Sequence, residues 1–162
     1  MHMENPLLSI GLLADHPQLI PAVGELRWRE WGRPPEPESL DWWVDVTARE
    51  AGREALPVTW AAFEADGSVL GAVGLGEFDI EERRDRSPWV LGMVVDPAQR
   101  NRGTGGRLMR ALEGWAAGQG YSRLWVATGG RAVDFYRKCG WEVVESFVRT
   151  SGEHMTILTR SL

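Results

Sequence analysis

The stretch from Trp89 to Met109 constrains this chain more than any other. Trp89-Val90-Leu91-Gly92-Met93-Val94-Val95 is almost continuously apolar, which predicts a strand buried on both faces. Asp96-Pro97 stops it, because proline lacks the N–H a ladder needs. Gln99, Arg100, Asn101, Arg102, Gly103, Thr104, Gly105 and Gly106 follow, and a helix opens at once. Leu108, Leu112, Trp115 and Ala116 share one face of that helix over Gly105–Ala117, and Gly118 and Gly120 end it. Glycines let main-chain N–H groups come close to a ligand. Those of the first helical turn are unpaired and sit at its positive end, which suits a pyrophosphate. The P-loop pattern is absent, and the dinucleotide pattern fails because Leu108 stands where its last glycine or alanine belongs. What remains is Arg100-x-x-Gly103-x-Gly105. A plain glycine-rich connector is the competing reading, and Arg100-Asn101-Arg102 is an odd choice for one.

The 162 residues suit one domain over 1–162 with a real core. Pro6–Leu13 reads as a first strand. Asp15 is a candidate helix cap, and Leu19, Ile20, Ala22, Val23 and Leu26 make a helical stripe running to about Trp31. Gly32–Pro37 breaks the chain, and Ser39 caps a second helix with Leu40, Trp43, Val44 and Ala48 at helical spacing, ended by Gly52. Val58–Glu64 and Val69–Phe78 read as strands joined by a turn at Asp66-Gly67. Glu81–Pro88 is a charged loop. Leu124–Thr128 is a short strand, and Arg131–Cys139 a short helix capped by Gly140. Trp141–Val148 and Met155–Arg160 close the chain as strands around Thr150-Ser151-Gly152. This order is a mixed α/β layout around one core.

Composition excludes several classes. No run of about 18 apolar residues occurs, so no membrane span is expected. Met1–Ser9 lacks a basic segment leading into an apolar core, so no signal peptide is expected. The single cysteine, Cys139, cannot form an internal disulfide, and these features favour the cytoplasm. A net charge of −5 argues against nucleic-acid binding, where contacts neutralise phosphates, and is compatible with a cationic acceptor.

The glycine pattern resembles the GNAT superfamily signature Gln/Arg-x-x-Gly-x-Gly/Ala, which lies between the fourth strand and third helix. Val94-Val95-Asp96-Pro97 and Leu108-Met109 flank it as in that family. A second element, Phe135-Tyr136-Arg137-Lys138-Cys139-Gly140-Trp141, matches the family's helix ending in Phe/Leu-Tyr and followed by Gly-Phe/Trp, with Ala132 at the expected spacing. Gly129 stands where the family often has Asn. The resemblance implies a mixed, mostly antiparallel sheet of about seven strands, flanked by about four helices, with splayed fourth and fifth strands.

It also implies a site. Met93, Val94 and Val95 would present backbone groups to the pantetheine arm of acetyl-CoA, as an added strand does. Arg100, Asn101, Arg102, Gly103, Thr104, Gly105 and Gly106 would hold the pyrophosphate. Arg102, Arg107 or Lys138 are candidates for a further phosphate. A backbone N–H near Met93 or Val94 would face the carbonyl oxygen that gains charge. Tyr136 matches the family's general acid, and a phenol is a suitable proton donor to a leaving thiolate. Relatives often carry a glutamate in the fourth strand. Here that strand has no acid, so Glu77, Asp79 or a water relay is left as base, against a reading of both acids as solvated loop residues. Trp28, Trp31 and Trp43 fall where relatives shape the acceptor pocket, with Trp42 beside them, and aromatic walls suit a cationic or apolar amine. Core packing is the alternative for these, and packing is the reading for Cys139.

The expected activity is transfer of the acetyl group of acetyl-CoA to a primary amine of a small molecule, by direct attack on the thioester and without a metal. Two alternatives stay open: acetylation of a protein N-terminus or lysine, and an acyl-CoA-binding module without catalysis. A homodimer is compatible with the resemblance.

Overall fold

In the computed structural model, residues 8–32 and 37–162 are described. Seven strands form one sheet in the order β1-β2-β3-β4-β5-β7-β6. They are β1 Ser9–Leu12, β2 Val58–Phe63, β3 Val69–Gly76, β4 Trp89–Val95, β5 Arg123–Thr128, β6 Glu142–Val148 and β7 His154–Ser161. Four α-helices accompany them among the described residues: α1 Ile20–Trp31, α2 Leu40–Arg49, α3 Thr104–Gly118 and α4 Ala132–Lys138. β1 with β2, β2 with β3, β5 with β7 and β6 with β7 run antiparallel. β4 and β5 run parallel, with Trp89 paired to Trp125. The mixed, mostly antiparallel sheet with four helices is the fold implied by the resemblance. No described helix is long and apolar enough to cross a membrane.

The described residues gather into two compact units. The first holds those up to Leu75 together with Gly92–Leu112, and the second holds Gly76–Leu91 with Glu113–Leu162. In the first, Leu13, Val23, Leu26, Ala61, Ala72 and Val94 form a buried cluster. Helices α1 and α2 pack closely there because Gly24 has no side chain: a Cβ on it would stand 2.8 Å from the Val44 Cα. In the second, Ile80, Trp89 and Ile157 are buried together, with Trp125, Ala127 and Phe147 packed against them.

The N-terminal part departs from expectation. Pro6 and Leu7 of the expected strand, and residues 33–36 of the breaker cluster, lie outside the described residues. The first helix starts later than a cap at Asp15 would place it. Leu13–Asp15 and Pro17–Leu19 are single 3₁₀ turns, and α1 begins at Ile20 with Pro21 in its first turn. Asp15 caps nothing; its carboxylate pairs with Arg53 instead. Ser39 does cap α2, accepting from the Trp42 N–H at 3.1 Å. At the β2–β3 turn, Gly67 takes φ 88°, and Asp66 Oδ1 accepts from the Ser68 N–H at 2.9 Å. The charged loop before β4 is tied down by ions: Arg83 grips Glu145 through both Nε (2.8 Å) and Nη2 (2.9 Å), and Arg86 reaches the same carboxylate.

Candidate active site

In the first unit, the end of β4 passes into the glycine loop through a short turn. The Asp96 N–H donates to the Leu70 carbonyl at 2.8 Å, and Asp96 Oδ1 accepts from the Ala98 N–H at 2.9 Å. Arg100 is then extended, while Asn101 takes φ 64° and Gly103 φ 78°. Left-handed residues alternating with ordinary ones turn successive N–H groups toward one side, a concavity that suits an anion. Arg100, Asn101, Arg102 and Gly103 are exposed, and Thr104 and Gly105 are buried where the 15-residue α3 begins. A Cβ on Gly106 would meet only an Arg110 guanidinium nitrogen, at 3.5 Å, so the main chain there can be approached closely. Side chains play a lesser part. Arg100 leans toward α1, 3.6 Å from Glu30, and Arg107 donates to the Leu8 carbonyl at 3.0 Å. An exposed turn of main-chain donors at the head of a long helix is the donor set a diphosphate requires.

Just upstream, Val94 is buried, and Met93 and Val95 are half-buried. Gly92 takes φ 49°, a left-handed conformation inside β4 that favours glycine. A Cβ there would stand 3.6 Å from the Arg27 Nε and 3.6 Å from the Trp31 ring.

The tryptophans divide. Trp31 and Trp43 face each other with ring centres 6.0 Å apart, and Trp42 meets Trp43 edge-on at 5.0 Å. Trp31 is 37% exposed and Trp42 44%, more than core packing requires. Trp28 folds back over Gly32 instead.

Arg27 is the residue that reading the sequence missed. It is 2% exposed, one turn before Trp31 on α1. Its Nη1 donates to Glu50 Oε1 at 2.9 Å and to Thr47 Oγ1 at 3.2 Å, and its Nη2 to Thr59 Oγ1 at 3.5 Å. Burial lowers its pKa, partly offset by Glu50. The signal available was a cation within an otherwise apolar helical stripe, directly after Leu26.

In the second unit, Tyr136 on α4 is 3% exposed. It sits between Phe135 (5.1 Å) and Trp141 (5.4 Å), both edge-on. Burial pushes its phenol well above the usual range, with the Cys139 thiol and the Asp79 carboxylate adding to the rise. Glu77 and Asp79 are both exposed, past the end of β3. Asp79 is thus near enough for Tyr136 to feel its charge.

The family model for acetyltransferases of the GNAT family matches residues 20–141. No curated protein matches the sequence. Solved structures share the fold. An aminoglycoside 6'-N-acetyltransferase complexed with coenzyme A superposes with TM-score 0.76 at 16% identity, covering 94% of this chain and 96% of that one. The aminoglycoside 6'-N-acetyltransferase from Enterococcus faecium gives 0.73 at 15%, covering 94% and 96%. Ard1 from Thermoplasma volcanium gives 0.72 at 18%, covering 96% and 98%. With the glycine loop and the Tyr136 helix in place and the family model matched over residues 20–141, the chain belongs to the GNAT family of acetyltransferases, enzymes that take their acetyl group from acetyl-CoA.

Proposed function

We propose that the protein acetylates a primary amine on a small molecule. The observation that carries this is the Arg100–Gly106 turn, whose exposed, left-handed main chain opens α3 and suits the donor's diphosphate. The small-molecule acceptor is supported by the aminoglycoside acetyltransferases among the structures of the same fold.

Each residue then has a task. The main chain of Met93, Val94 and Val95 lines the donor's arm, and the turn holds its phosphates. Asp79 takes the ammonium proton, because an alkyl amine with a pKa of about 10.4 is mostly protonated at pH 7 and cannot attack. Glu77, two residues upstream and also exposed, is the alternative base. Tyr136 donates a hydrogen bond to the departing sulfur. Burial keeps that hydroxyl neutral; as the C–N bond forms and the C–S bond breaks, its proton passes to the sulfur and the proton shed by the new amide nitrogen restores it. Trp31 and Trp43 wall the amine.

The test is release of free thiol from acetyl-CoA against a broad panel of small amines and peptides. Turnover with one or more small amines is expected. Turnover with peptides alone would move the acceptor to protein, and none with any amine would leave a binding module.

A further inference from the structure

Beyond that reading, and independent of it, we propose that two copies of this chain pair through the outer edges of β6, antiparallel about a twofold axis at Ser146. β6 ends the sheet order, and no strand lies beyond it among the described residues. Every second residue of such an edge points its main-chain N–H and C=O away from the sheet, where another strand can bond them. Open edges are normally blunted by charges on the solvent face. β6 lacks them. Val143, Ser146 and Val148 pair with Leu158, Thr156 and His154, so all three share one face. Val143 is 48% exposed and Val148 54%, and β6 puts no charge on that face.

The strand complements itself in one register. A bulge leaves Val144 out of the ladder with β7, between Val143 and Glu145. The ladder positions are then Glu142, Val143, Glu145, Ser146, Phe147 and Val148, and Arg149 extends them, its N–H donating to the Glu153 carbonyl at 2.8 Å. Ser146 is the middle of this series. A twofold axis through it, perpendicular to the sheet, sets Val143 against the partner's Val148 and Glu142 against the partner's Arg149, each contact made twice. Cross-strand neighbours must share a face, and these do. Glu142 and Arg149 lie with Thr159 and Glu153 on the face opposite the valines. Exposed valine thus covers valine, and unlike charges meet. Arg149 has Glu82 at 3.3 Å and Glu153 at 3.7 Å and is still 29% exposed, open to a further carboxylate. Glu145 needs no cation from the partner, because Arg83 holds it at 2.8 and 2.9 Å and Arg86 at 2.8 Å. Pairing of an edge with itself closes, so it gives a dimer and not a fibre.

The experiment is light scattering on the full chain from micromolar to near-millimolar concentration. The mass is expected to rise from 18.1 kDa towards twice that value. Val143→Lys combined with Val148→Lys sets like charges against each other at exposed positions. It is expected to weaken association roughly 10-fold or more. Register is read by disulfide capture in a Cys139→Ser background. Ser146→Cys lies against its own copy across the axis, at a Cα separation that suits a disulfide, and is expected to cross-link. Val148→Cys lies against the partner's Val143 and is expected to cross-link roughly 10-fold more slowly or less. If the lysine variant fails to fold, the two cysteine variants decide. A monomer at every concentration, a dimer as tight with the lysines as without, or cross-linking as fast through Val148→Cys as through Ser146→Cys overturns the proposal. Neither readout depends on acetyl transfer.

Discussion

Gly24 of α1 lies so close to α2 that a Cβ on it would stand 2.8 Å from both the Cα and the Cγ2 of Val44. Backbone atoms cannot swing aside as a flexible side chain can. This contact sets the spacing of the helix pair that carries Arg27, Trp31 and Trp43. Gly24→Ala is therefore expected to push α2 away and cost about 1–3 kcal/mol, the usual range for overpacking. Urea denaturation measures it. An unchanged midpoint would show that the helices part freely.

Tyr136 is one of two tyrosines, so Tyr121→Phe leaves it as the sole phenol. In that background, ultraviolet titration is expected to show no tyrosinate near pH 10, because burial holds the neutral form. Adding Asp79→Asn removes a repelling charge and moves the titration to lower pH. A phenol ionising near pH 10, indifferent to Asp79, would break the link between the two.

Tyr136→Phe keeps the ring between Phe135 and Trp141 and removes only the hydroxyl. Steady-state kinetics are expected to show kcat lower by roughly 10²- to 10⁴-fold, with acetyl-CoA affinity unchanged. Unaltered kcat would assign Tyr136 to packing.

Glu145 lies between Arg83 and Arg86, and the hydrogen bond from Arg83 chiefly holds its pKa at about 2, against an ordinary 4.5. A depressed carboxyl pKa stabilises the fold above the unfolded value and loses that contribution as pH falls through the folded one. Wild type is expected to melt above Glu145→Gln at neutral pH. The gap should narrow from about pH 4.5 and close near pH 2. A gap that does not change with pH would contradict this.

Much of the local structure around the candidate site was legible because its punctuation is local. Asp96-Pro97 ends β4, the glycines open the turn, and β4 falls on Trp89–Val95 as its apolar run suggested. Gly140, with φ 91°, closes α4 behind Tyr136 in the same local way. What escaped depends on distant partners. Arg27 reads as a surface cation until Thr47, Glu50 and Thr59 are folded against it, 20, 23 and 32 residues away. Trp28 belongs by position with Trp31, but their separation on α1 turns it toward Gly32. Asp15 has cap chemistry, yet Arg53 claims its carboxylate.

The account stands on the loop, and Gly103→Val tests it most directly. Gly103 has φ 78°, which valine resists, so the donor concavity should collapse while the domain stays folded. Calorimetry with coenzyme A and with pantetheine, which lacks the diphosphate, separates the two halves of the ligand. Expected is a loss of roughly 10²-fold or more for coenzyme A, equivalent to one or two charge-assisted hydrogen bonds, with pantetheine binding as wild type does. Undiminished affinity for coenzyme A in the folded variant would contradict the claim that this main chain grips the diphosphate.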